Sequence, residues 1–216
     1  MFTYRRSVGP GSVGLLAVLL FSLHCTSQPA PPPLRPAAAQ QWRVELLFLG
    51  DQGAHDAPGK AGLLMQALGP RGFNVTYTED LGALAPATLA AYDGLLLYTE
   101  GPELNTSQAN ALRDFVAQGK GLIALHHAAA CTPEGTPYAD LIGACMTEAE
   151  PDTVTVETIA PDHPAVQGLA PFAAPESPAR HDNPRRGRTV LQTQGEERTP
   201  WTWVRDEGRG RVFYTA

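Results

Sequence analysis

RVELLFLGDQGAHDAPGKAGLLMQALGPRG, residues 43–72, reads as a strand, a loop and a helix in succession. Leu46, Leu47, Phe48 and Leu49 are consecutive apolar residues closed by Gly50, the pattern of a short strand buried on both faces. Asp51 to Asp56 interrupts it with small and polar residues. Lys60 to Leu68 then carries a helical segment that Gly69 and Pro70 stop. A strand whose following helix returns the chain to the next strand is the unit of a parallel sheet.

Outward from this unit the pattern repeats. FNVTY (73–77) predicts a second strand, PATLAAY (86–92) a short helix and DGLLLY (93–98) a third strand. SQANALRDFVAQG (107–119) places Leu112, Phe115 and Val116 on one helical face, with Asn105 or Thr106 as N-cap and Gly119 as the stop. GLIAL (121–125) is the fourth strand. Strands that are apolar throughout and separated by helices imply a doubly wound α/β domain, mostly parallel, with helices on both faces. Beyond Gly143 the pattern changes: TVTVETI (153–159) alternates, RTVLQTQ (188–194) follows a polar loop, and TPWTWVRDEGRGRVFYT (199–215) reads as two strands joined by a tight turn, some of these strands being antiparallel. No internal repeat is evident.

With 43% hydrophobic and 18% charged residues, the 216-residue chain suits one globular domain with flanks. A net charge of -6 gives no electrostatic reason to expect nucleic-acid binding, which uses clustered Lys and Arg, and Arg5-Arg6 and Arg185-Arg186-Gly187-Arg188 are too short to reverse this. Arg5 and Arg6 precede SVGLLAVLLFSL (12–23), which is shorter than the roughly 20 residues of a membrane span but fits a signal-peptide core. Residues 1–25 are therefore expected to direct export as a signal peptide or lipoprotein signal, and 26–42 to form a Pro/Ala-rich linker. The domain itself is residues 43–216. A lipid anchor at Cys25, cleavage near Ala30 and an uncleaved anchor all stay open, each placing the protein in the periplasm or cell envelope. Cys131 and Cys145 read as small buried thiols, with pairing in an oxidising compartment as the alternative.

Ligands of open α/β sheets gather at the carboxyl ends of the strands. Three groups fall there: Asp51, Gln52, His55 and Asp56; Tyr98, Thr99 and Glu100; and the pair His126 and His127. Within residues 43–216 there is no G-x-S-x-G or G-x-C-x-G elbow, no phosphate loop, no G-x-G-x-x-G and no H-E-x-x-H. Cys131 lies too far past the strand for an elbow nucleophile. Successive side chains of a strand point to opposite faces, so His126 and His127 cannot share an ion unless the chain turns there. His126 is expected to face the site and His127 to be mainly structural, orienting it. A zinc-like site would add His55 and an acid such as Asp51 or Glu100 to His126.

Six segments carry a wider likeness: LFLGDQGAHDAP (47–58), LAAYDGLLLY (89–98), LRDFVAQGKGLIALHHAAA (112–130), YADLIGA (138–144), PDHPAVQGLAPF (161–172) and PWTWVRDEGRGRVFYTA (200–216). Together they resemble the ThuA-like (trehalose utilisation) family of the class I glutamine-amidotransferase-like superfamily. The resemblance implies a flavodoxin-like fold in which LHHA (125–128) replaces the amidotransferase elbow, so glutaminase chemistry is not implied. It implies metabolism of trehalose, other glycosides or keto-sugars, in the company of a sugar dehydrogenase or haem-protein partner. Neither partner module nor a C-x-x-C-H sequence occurs in this chain.

On that basis His126 is the candidate acid/base, with His55 and Glu176 assisting, because an imidazole titrates near neutrality. Asp51, Gln52, Glu100 and His127 are candidate sugar contacts, and His55 and His126 candidate ligands of a divalent metal such as zinc. The chain departs from the family pattern at Ala149, where a His is expected, at Pro175-Glu176-Ser177-Pro178, which keeps the acid without the Tyr, and at Ala216, where the family continues into a turn and helix. A truncated product is one reading of the last departure, and an uncovered edge beside GRVFYT that promotes self-association is its expected consequence. His163 fits a turn residue before Pro164, and Arg180 and His181 are further candidates. The alternative function is a catalytically decayed carbohydrate-binding or accessory domain, with Trp42, Trp201 and Trp203 as aromatic surface.

Overall fold

The computed structural model describes residues 42–130, 136–147, 153–175, 180–182, 184 and 186–216. The first β-loop-α unit forms as its sequence predicts: β1 is Val44–Gly50 and α1 is Ala57–Leu68. A single 3₁₀ turn, Gly69–Arg71, ends α1, and Gly72 at φ 92° feeds β2, Phe73–Thr78. The short helix α2 (Pro86–Leu89), β3 (Gly94–Tyr98), α3 (Thr106–Ala117) and β4 (Gly121–Leu125) follow.

The cap of α3 is the Asn105 alternative. Asn105 accepts from the Gln108 amide at 2.9 Å while the Gln108 side chain accepts from the Asn105 amide at 3.0 Å, a reciprocal capping box. Asn105→Ala is expected to cost about 1 kcal/mol, read as a lower urea midpoint at unchanged m-value.

From residue 136 on come α4 (Pro137–Ile142), β5 (Cys145–Thr147), β6 (Val154–Thr158), β7 (Phe172–Ala174), β8 (Arg180–Asp182), β9 (Arg188–Gln194), β10 (Thr199–Glu207) and β11 (Gly210–Thr215). Of these, α4, β5, β7 and β8 were not foreseen; at three to six residues they are too short to display a period. Strands β5 and β8 form a small separate antiparallel sheet. Cys145 is disulfide-bonded, which corrects the buried-thiol reading for this residue; its partner lies outside the described residues.

The main sheet has the order β2-β1-β3-β4-β11-β10-β9-β6-β7, parallel from β2 to β11 and antiparallel from there on. The hairpin between β10 and β11 forms as expected, but β11 is no neighbour of a free edge. It lies between β4 and β10 and is bonded to both, so the expected uncovered edge beside it does not exist; the edges are β2 and β7. The hairpin tip seats closely on the end of α3. A Cβ on Gly210 would stand 2.1 Å from the Val116 carbonyl, and one on Gly208, at φ 58°, 2.6 Å from the Ala117 carbonyl.

Alternation in the strands divides the core in two. Leu47, Leu49, Leu95, Leu97, Leu122, Ala124, Val212 and Tyr214 pack under Leu112, Phe115 and Val116 of α3 and Leu141 and Ile142 of α4. On the other face Leu46, Phe48 and Leu96 meet Ala57 and Ala61 of α1. The carboxyl ends of β1, β3 and β4 thus emerge together at one rim.

Candidate functional site

At that rim β4 stops being a strand one residue before the histidines. Leu125 is still extended, but His126 has φ 53° and opens a 3₁₀ turn over His126–Ala129. A left-handed, non-glycine residue at this place cancels the strand alternation that would have sent the two rings to opposite faces. The His126 and His127 ring centroids are 4.0 Å apart. His55 reaches them from the loop after β1. It directly precedes Asp56, which is left-handed at φ 50° and caps α1 by accepting from the Gly59 amide, so the start of α1 anchors the loop.

His55 Nε2 and His127 Nδ1 lie 2.8 Å apart and share one proton. The His55 ring centroid is 4.7 Å from that of His126 and 4.9 Å from that of His127. One nitrogen from each of the three half-buried rings lies within 4.8 Å of the others. An imidazole carries its N–H on either ring nitrogen, so His55 with its proton on Nδ1 and His127 with its proton on Nε2 would both turn a bare nitrogen toward a shared ion. Three imidazoles with a fourth position open is a donor set suited to a catalytic divalent ion such as zinc.

Carboxylates brace the crevice. Asp51 accepts from the Gly53 amide at 3.0 Å and from the Glu100 amide at 2.6 Å, tying the loop after β1 to the end of β3. Glu100 accepts from the Ala54 amide, and its Oε1 lies 3.8 Å from His55 Nε2. Gly53 has no room for a side chain, since a Cβ there would meet the Glu100 carboxyl at 2.5 Å. Gln52 turns away, donating to Glu79, which also accepts from the Tyr77 hydroxyl at 2.9 Å. Burial and the adjacent Glu79 push Tyr77 up to about 12, so it stays a donor. His126 also borders a cavity of about 410 Å³ walled by Phe48, Leu64, Tyr98 and Leu125.

The model of the ThuA family, described as trehalose utilisation, matches residues 45–216. The chain belongs to the ThuA family. No curated protein matches its sequence. Among solved structures, a ThuA-like protein from Bacteroides uniformis superposes with a TM-score of 0.68 at 18% identity, covering 85% of this chain and 84% of that one. A ThuA-like protein from Parabacteroides merdae gives 0.65 at 15% identity, over 80% and 78%. Gan42B, a GH42 β-galactosidase from G. stearothermophilus, gives 0.54 at 16% identity over 80% of this chain and 27% of that one. At these identities the likeness shows the fold alone, an α/β fold with a mixed sheet.

Within this ThuA chain the structure brings together His55, His126, His127, Glu100 and Asp51, and it leaves Gln52 engaged with Glu79. The expectation that His126 and His127 point to opposite faces fails: the chain turns at His126 instead of continuing as a strand, and the His127 ring is hydrogen-bonded to His55. Glu176 lies outside the described residues, as do Ala149 and Cys131. His163 is the turn residue its sequence suggested, accepting from the Ala165 amide at 3.2 Å. His181 is half-buried against Trp203 and Tyr214 and is not one of the three rings that gather at the crevice. The Trp201 and Trp203 side chains are 5% and 0% exposed, which removes both as a sugar-stacking surface. Glu79 was missed, having no spacing signal in sequence; only the pairing of β1 with β2 brings it beside Gln52.

Proposed function

We propose that this ThuA protein processes a sugar, either a glycoside such as trehalose or its keto form, in the crevice of His55, His126 and His127, with a divalent ion such as zinc held by the three imidazoles. The observation that carries the reading is the convergence of three imidazole nitrogens from two separate loops around one point. When bound, the ion supplies a Lewis acid for a substrate oxygen or an acidified water. The chain's own part is to position and to move protons. Asp51 locks the two loops, Asp51 and Glu100 offer carboxylate oxygens of the kind that accept from sugar hydroxyls, and Glu100, 3.8 Å from His55 Nε2, is the carboxylate that takes and returns a proton.

Export to the periplasm or cell envelope, whether or not Cys25 carries lipid, belongs to the same proposal and rests on Arg5, Arg6 and the apolar run 12–23. A keto-sugar substrate requires an oxidising enzyme upstream, so a sugar dehydrogenase or haem-protein partner is part of the reading.

The test is metal analysis of the purified full-length protein together with turnover of trehalose, other glycosides and their 3-keto forms, before and after chelation. Stoichiometric metal and chelator-sensitive turnover of one of these sugars are expected. Protein that stays metal-free in excess zinc and turns over none of them would overturn the proposal.

A further inference from the structure

The crevice depends on one unusual backbone feature, the left-handed His126 at the end of β4. Two tyrosines approach the turn it opens from the α3/α4 side of the sheet. Tyr138 of α4 and Tyr214 of β11 are 3% and 0% exposed. The Tyr138 hydroxyl donates to the carbonyl of Ala128, and the Tyr214 hydroxyl reaches the carbonyl of His126 at 3.3 Å. We infer that Tyr138 and Tyr214 are positioning residues of the histidine crevice, holding from below the turn that brings His126 and His127 to one side. The inference deepens the reading of the crevice as an ion-binding sugar site.

The choice of partners at Tyr214 follows from hydrogen-bond inventory. Its hydroxyl has one proton and three neighbours: the His126 carbonyl, His181 Nε2 at 3.1 Å and Met146 Sδ at 3.6 Å. A carbonyl is a far better acceptor than a thioether, and an imidazole N–H can donate where a carbonyl cannot. The self-consistent arrangement has His181 Nε2–H donating to the Tyr214 oxygen and Tyr214 donating to His126. Burial raises both tyrosines above their ordinary pKa, so both remain donors across the working pH range.

Without these holds the turn loses two of the hydrogen bonds that oppose the return of His126 to an extended conformation, which non-glycine residues favour. An extended His126 would turn its ring and that of His127 to opposite faces and separate the three nitrogens. The tyrosines touch no reacting group. They act through the backbone of the residues that do.

The experiment uses full-length protein carrying Tyr138→Phe, Tyr214→Phe, both together, His181→Gln or His181→Leu, with Co²⁺ as the probe. Wild type is expected to give d–d absorption bands. Each Tyr→Phe change is expected to weaken Co²⁺ binding about 10-fold and to shift the bands, as loss of outer hydrogen bonds around a metal site does. His181→Gln, which keeps an N–H donor, is expected to preserve the spectrum and His181→Leu to alter it. Leu141→Val, in the same core but without a hydroxyl, should lower the melting temperature while leaving the bands unchanged. Folded single variants with wild-type affinity and bands would overturn the inference even if the double variant does not fold.

If wild type itself binds no Co²⁺, the ion-binding reading fails, and the imidazole ¹⁵N resonances of metal-free protein decide the inference. The signature of the proton shared by His55 and His127 should be lost in the Tyr→Phe variants. Its persistence there would overturn the positioning role.

Discussion

His127→Ala will weaken zinc or cobalt binding by about 100-fold or more and leave the melting temperature nearly unchanged. Each ligand supplies a large part of the affinity of a three-imidazole site, and even outer-shell losses reach 10–100-fold. The fold should tolerate the change because the ring is only half-buried and its contacts are with the other two histidines. Placement on a regular strand would give the opposite result, a loss of stability with binding spared. His55→Ala should match His127→Ala, since each offers one nitrogen to the same cluster and the two rings lie 2.8 Å apart at their hydrogen bond. Calorimetric titration with Zn²⁺ beside thermal melts separates the cases. Wild-type affinity in His127→Ala would remove it from the ligand set.

Lowering the pH from about 6.5 toward 3 will destabilise the protein through His181, and His181→Gln will flatten that part of the profile. Burial first, and the nearby Arg188 guanidinium second, depress His181 from 6.5 to about 3. In the unfolded chain the imidazole takes up its proton near 6.5, whereas the folded protein leaves it neutral until about 3. Between these values the unfolded state holds the extra proton, so unfolding becomes easier as the pH falls; above 6.5 the contribution is complete. The limiting slope is about 1.4 kcal/mol per pH unit. The groups that face His181 are consistent with this: Trp203 and Tyr214 are apolar or neutral, and Arg188, stacked over Trp203 with its Cζ 4.8 Å from the ring centroid, repels a second cation. Urea denaturation of both proteins at pH 4, 5 and 7 checks the prediction. A pH-independent difference between them would show that His181 does not titrate on unfolding.

Residues 43–125 by themselves determined the parallel half of the sheet. Unbroken apolar runs such as Leu46 to Leu49 need cover on both faces, and a cap at Asn105 or Thr106 and the stops at Gly69 and Gly119 are local chemistry that requires no knowledge of the rest of the chain. The carboxyl-edge position of Asp51, His55, Glu100 and His126 follows from the same pattern, because a strand that ends in a polar residue delivers it to the rim. Tertiary structure alone decided the rest. The insertion of β11 between β4 and β10 depends on pairing between residues about 90 positions apart, on which no local period bears. The shared side of His126 and His127 depends on a left-handed backbone angle at a residue that ordinarily avoids it, and Tyr138 and Tyr214 lie in segments whose sequence shows only that they are apolar. A backbone conformation imposed from across the sheet has no signature in the residue that adopts it, and for that reason the joining of His127 to His55 and His126 is visible only in the folded chain.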